Sequence, residues 1–147
     1  MRKDVLKGLT KIGLLAVVMI VAASASVKAQ SLQYKLTANV PFDFTVSDKK
    51  LPAGKYSISR AQSSNGDLIV QIVSADGHKN ISRLTIPVTV EKPMSHGTLV
   101  FNRYGNEYFL SKVWPAGGST GRELLKSRTE RELARKAQEP QIVRVGF

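Results

Sequence analysis

His78 and His96 are the only histidines in the chain, and there is no cysteine. Thiol catalysis, cysteine-ligated zinc and iron–sulfur clusters are therefore excluded. Two imidazoles can ligate a metal or serve as a catalytic base. Both, however, sit beside glycines in expected turns, and neither has a carboxylate or second histidine at ligand spacing. They read as solvated turn residues, so no metal and no cofactor is expected.

Ser47-Asp48-Lys49-Lys50 has the Ser-x-x-Lys spacing of serine acyl-enzymes. That motif opens a helix and is accompanied by Ser-Asp-Asn and Lys-Thr-Gly. Here it falls in a polar turn without those companions. Gly117-Gly118-Ser119-Thr120-Gly121-Arg122 resembles a phosphate loop but lacks the Gly-Lys-Ser/Thr ending, and its composition is that of a linker. Asp43, Asp48, Asp67, Asp76, Glu91 and Glu107 are dispersed over turns and polar faces. A glycosidase needs two carboxylates a few ångströms apart, an arrangement that only the fold can supply. Asp67 and Asp76 are explained as turn formers. Asn80-Ile81-Ser82 has the form of a glycosylation sequon. No catalytic residues are assigned.

Binding chemistry is better represented. Arg103, Tyr104, Asn106 and Tyr108 surround a Gly105-Asn106 turn, and rings beside polar groups at a hairpin tip suit a sugar or peptide. The alternative is ordinary cross-strand pairing. Arg128, Arg131 and Arg135 lie in a charged tail, residues 122–139, with six Lys/Arg and four Glu. That balance, with no aromatic interleaved, argues against nucleic acid and for either a solvated helix or an arm that contacts a partner.

These groups must be positioned by β structure. Leu36, Ala38, Val40, Phe42, Phe44 and Val46 share one parity, hence one face of an extended chain. Pro41 lacks an amide hydrogen and predicts an edge strand or a bend. Leu51-Pro52-Ala53-Gly54 fits a type I turn. Tyr56 to Arg60 alternates, and Leu68 to Val73 reads as a buried strand. Asp76-Gly77 predicts a type I′ hairpin. Leu84, Ile86, Val88 and Val90 again share parity, with Pro87 marking a bent or edge strand. Thr98–Tyr104 and Glu107–Trp114 predict a hairpin about a type II′ turn. Its two-residue loop sets Phe101 opposite Leu110 and Arg103 opposite Tyr108; a bulged three-residue loop is the alternative.

After Pro115 a flexible linker is expected, then a marginal helix over Arg122–Lys136. Thr120 with Glu123 and Ser127 with Glu130 have capping-box spacing. Pro140 ends this helix, and Ile142, Val143 and Val145 can add a last strand. The pattern predicts a mainly β fold, an antiparallel β-sandwich or partly open barrel of about seven strands with a C-terminal charged helix.

The chain has 147 residues and begins with Arg2, Lys3, Lys7 and Lys11, then runs uncharged from Ile12 to Val27. Val27-Lys28-Ala29 completes the pattern of a secretory signal peptide, with cleavage after Ala25 as the alternative. The apolar run is shorter than the roughly 20 residues of a spanning helix. Residues 1–29 hold five Lys/Arg against Asp4, so the remaining 118 residues keep 17 Lys/Arg against 10 Asp/Glu. A net +7 favours anionic surfaces such as membrane headgroups or acidic polysaccharide. The expected organisation is a signal peptide over 1–29, a β-sandwich over 30–116, and a linker with a helical arm over 117–147.

Val40-Pro41-Phe42-Asp43-Phe44, Leu51 to Tyr56, Leu99 to Gly105, Tyr108-Phe109-Leu110 and Ser127 to Ala134 together resemble an uncharacterised family of small exported β-domain proteins of environmental bacteria. The resemblance implies export and a β fold and supplies no active site. The sequence thus leads to a non-catalytic periplasmic or extracellular protein that binds an envelope protein, a surface or a polysaccharide. A small hydrolase with converging carboxylates, and a structural subunit joined through strand edges or the arm, are the alternatives.

Overall fold

The computed structural model describes residues 35–62, 68–136 and 139–147. The expected signal peptide lies outside the described residues. Parity sets the first strand, β1 (Lys35–Val40), with Ala38 and Val40 buried. The chain breaks at Pro41, and β2 (Phe44–Val46) resumes with the same parity, burying Phe44 and Val46. A two-residue turn leads to β3 (Lys49–Leu51). β4 (Gly54–Gln62), β5 (Leu68–Ser74) and β6 (Asn80–Thr89) follow, then the hairpin of β7 (Thr98–Tyr104) and β8 (Glu107–Trp114). β9 (Thr120–Leu124), the helix α1 (Arg128–Lys136) and β10 (Gln141–Gly146) complete the described chain.

The sheet runs β1-β4-β5-β6-β9-β8, from which β8 continues to β7 and β10 on one path and to β2 and β3 on the other. Nearly all pairings are antiparallel; β2 meets β8 in parallel at Thr45 and Phe109. β6 changes partner midway. Its residues 80–84 pair with β5, and its residues 85–89 pair with β9. Pro87 belongs to the second half, where only one side carries a ladder, so its missing amide hydrogen costs no bond on the open side. The sheet folds over without closing, giving a β-sandwich-like architecture. The core between its leaves includes Phe44, Leu51, Ile58, Ile72, Leu99 and Phe101. Phe101 meets Phe42 and Phe44 edge-on, with ring centres 5.1 and 5.4 Å apart.

The β7–β8 hairpin has the expected two-residue loop, with Phe101 opposite Leu110 and Arg103 opposite Tyr108. Gly105 has φ 61°, while Asn106 stays out of the left-handed region, as a type II′ turn requires. A bulge between Val100 and Phe101 leaves Ser111 without a partner opposite it.

Two expectations are corrected and one is completed. First, Asp76-Gly77 is not a two-residue turn: residues 75–79 form a longer loop, in which Asp76 accepts bonds from the Ser74 hydroxyl and the His78 amide. Second, the shared parity of Leu84 and Ile86, which left open the side they take, resolves outward: they are 54% and 48% exposed. Ile81 pairs with the buried Ile72 and therefore faces inward, which turns Ser82, Leu84 and Ile86 outward. Third, the segment after Pro115 is not a flexible linker ending in a helix from Arg122. Residues 117–119 are tied to the 90–94 connection by backbone bonds, including Gly117 N to Met94 O at 2.7 Å and Val90 N to Ser119 O at 2.9 Å. Residues 120–124 are a strand, and the helix starts only at Arg128, so the sheet continues past residue 117. The last strand forms where Ile142, Val143 and Val145 suggested it. Gln33–Phe147 is one compact unit, and it contains all the strands and the core found among the described residues.

Candidate functional site

Hairpin register distributes the residues of the β7–β8 tip over two faces. Arg103 and Tyr108 are paired and share one face; Tyr104 is paired with Glu107 on the other. Arg103 Nε donates to Gly105 O at 2.7 Å, and its guanidinium carbon lies 5.3 Å from the centre of the Tyr108 ring. Tyr108 stacks on Phe42 with ring centres 4.0 Å apart. Tyr104 is buried and meets Phe109 edge-on at 5.9 Å. The two tyrosines therefore do not form a common platform, and cross-strand packing accounts for both.

Asn106 and Tyr108 line a groove of about 200 Å³ with Asp43, Asp48, Lys50 and Glu107. The fold thus gathers three of the dispersed carboxylates. All three residues are exposed, and Asp43 Oδ1 accepts a 2.9 Å bond from the Ala53 amide, which fixes the turn before β4. Ser47-Asp48 is the two-residue turn between β2 and β3, with Ser47 at φ 56°, so the Ser-x-x-Lys spacing has no helix to sit on. His78 and His96 are exposed in separate loops. Among the described residues, no group of three or more His, Asp or Glu side chains is placed to hold a metal ion.

A second groove, of about 520 Å³, brings together residues distant in sequence. Arg83 and Leu84 come from β6, Ser47 and Asp48 from the β2–β3 turn, and Leu125 to Arg128 and Arg131 from the joint between β9 and α1. Two of the three tail arginines, Arg128 and Arg131, line it; Arg135 lies on the last turn of α1 and does not. Leu84 and Leu125 are the apolar surface here, 54% and 60% exposed. Arg83, Lys126, Arg128 and Arg131 stand around them against one carboxylate, Asp48.

The geometry of this groove depends on how α1 is anchored. Ser127 caps the helix: its Oγ accepts the Glu130 amide at 3.0 Å. The reciprocal half of a capping box does not form. The Glu130 side chain turns instead to the sheet, where its Oε1 accepts from Asn102 Nδ2 at 2.8 Å in a buried contact. Burial, the largest influence, pushes the Glu130 carboxyl above its ordinary range, and the Asn102 bond pulls the other way. Arg131 Nη1 donates to Lys126 O at 2.8 Å, and Arg128 pairs with Glu132 at 3.0 Å on the exposed face.

Sequence reasoning missed Arg83, Leu84, Leu125 and Lys126. Leu125 and Lys126 fall in the joint between β9 and α1, where no periodic pattern marks them. No protein-family model matches the chain, and no curated protein and no solved structure shows significant similarity to it.

Proposed function

We propose that the protein is an exported, non-catalytic β-domain that docks on another component of the cell envelope through the groove of Arg83, Leu84, Leu125, Lys126, Arg128 and Arg131. One observation carries this reading: two largely exposed leucines from separate elements meet in one groove among four cations. Aliphatic side chains held in water cost free energy unless something covers them. Surrounding cations select for an anionic partner. Export is supported by the basic start, the apolar run and the Val27-Lys28-Ala29 site.

Photocrosslinking in the native organism tests the docking. A photoreactive residue at Leu125 should yield adducts, whereas one at the exposed Lys92, in the connection before β7, should not; equal labelling at both positions would overturn the reading. Export is checked on the same material by its N-terminal sequence, expected to begin at Gln30.

The gathering of Asp43, Asp48 and Glu107 in one groove favours a second reading, a small exported hydrolase. It requires hydrolysis of some glycan or ester that D48N or E107Q abolishes while the fold is retained. Activity unaffected by both substitutions excludes that groove.

A further inference from the structure

The chemistry of the docking groove narrows its partner. We infer that it seats the protein on an anionic phospholipid surface, with Leu84, Ile86 and Leu125 entering the interfacial zone and Arg83, Lys126, Arg128 and Arg131 meeting the lipid phosphates. This rests on reading the groove as a docking site.

Leu84 and Ile86 are two residues apart on β6, hence on one face and about 7 Å from each other along the strand. Leu125 joins Leu84 in the groove. Three aliphatic side chains, each about half exposed or more, thus project from neighbouring elements. No aromatic ring lines this groove, and rings are what sugar faces and nucleobases stack on. An acidic polymer in solution would answer the cations and leave the leucines in water. A bilayer interface answers both, because aliphatic groups enter the acyl boundary while cations remain among headgroups.

The cations are available for this role. The Arg128–Glu132 pair is exposed on both sides, 84% and 51%, so phosphate can displace Glu132 at little cost. Arg131 commits one nitrogen to the Lys126 carbonyl, which fixes its position and leaves further donors of its guanidinium. Arginine's planar fork suits phosphate oxygens.

The experiment uses the compact unit Gln33–Phe147, so that residues 1–29 contribute no membrane affinity of their own, with its cooperative thermal unfolding as the check of folding. Vesicles of phosphatidylcholine are compared with vesicles of phosphatidylcholine and phosphatidylglycerol in equal parts, and binding is read by sedimentation. Binding should be at least about tenfold stronger on the anionic vesicles. R128E/R131E should reduce it by about tenfold or more, and added salt should weaken it. L84S/L125S should also weaken it about tenfold while keeping the salt dependence. These positions are exposed, so the variants should still unfold cooperatively, with only a small downward shift in R128E/R131E from the lost Arg131–Lys126 bond and Arg128–Glu132 pair.

Equal binding to both vesicle types, or anionic binding unchanged in both variants, overturns the inference. So does equally tight binding of soluble poly-glutamate that is lost in R128E/R131E and kept in L84S/L125S. In that last case crosslinking at Leu125 still occurs and only the lipid assignment falls. Loss of both crosslinking and vesicle binding removes the docking site itself.

Discussion

Asn102 of β7 donates a 2.8 Å hydrogen bond to Glu130 of α1, and both side chains are buried. This one bond links the β7–β8 hairpin to the helix that supplies Arg128 and Arg131. Removing the donor in N102A leaves the buried carboxyl without its partner. The expected loss is about 1–3 kcal/mol in urea unfolding, with weaker function of the groove because α1 loses its anchor.

The same contact makes stability depend on pH. The Glu130 carboxyl is raised above its ordinary value of 4.5 by burial, so the folded state holds the proton more tightly than the unfolded chain. Below that ordinary value both states are protonated and the contribution is fully present. As the pH rises past it and through the raised folded value, the unfolded chain ionises first and the contribution is lost. Unfolding free energies of wild type and E130Q, measured from about pH 4 to about pH 8, should therefore diverge upward in favour of E130Q. Parallel curves would show that Glu130 does not titrate in this range.

The cap at Ser127 holds the start of α1 beside the groove. S127A should cost about 1 kcal/mol and S127D considerably less, since an aspartate side chain can still accept the Glu130 amide. Circular dichroism during urea unfolding distinguishes the two.

Gly121 lies under Trp114. A Cβ at this position would stand 2.5 Å from the indole ring, and both partners are buried in a ladder that cannot shift freely. G121A should destabilise by about 1–3 kcal/mol and alter the emission of Trp114, the sole tryptophan in the chain.

Phe101 sits at full burial between Phe42 and Phe44. F101A is expected to lose about 3–5 kcal/mol. L125S, on the exposed groove, should change stability by less than about 0.5 kcal/mol. The contrast between the two in one unfolding experiment separates core from exposed groove.

The core was legible from sequence where side-chain alternation coincided with a single buried face. Ala38, Val40, Phe44 and Val46 share parity and share the interior, and Pro41 marks the break between their strands. The hairpin was legible because turn chemistry at Gly105 fixes its register. Leu84 and Ile86 show the limit: parity says which residues lie together but not which side faces the core. That choice comes from the pairing of Ile81 with Ile72, a tertiary fact. The tail was misread for a related reason. Residues 120–124 are polar enough to read as helix or linker and become a strand only because β6 and β8 leave a place between them. The groove draws residues from three separate stretches, so no local spacing announces it, although two of its arginines stood out through their position in the tail.

The change of partner in β6 also bears on the order in which the molecule can assemble. The pairings of β4 with β5 and of β5 with β6 join strands that are neighbours in the chain, and short loops close at low entropic cost. The second half of β6 must wait for β9, with the β7–β8 hairpin lying between them in sequence, and β2 must wait for β8. Long-range pairings of this kind slow folding. The C-terminal strands therefore act as the closing step, and the second half of β6 has no partner strand until residues 120–124 are in place.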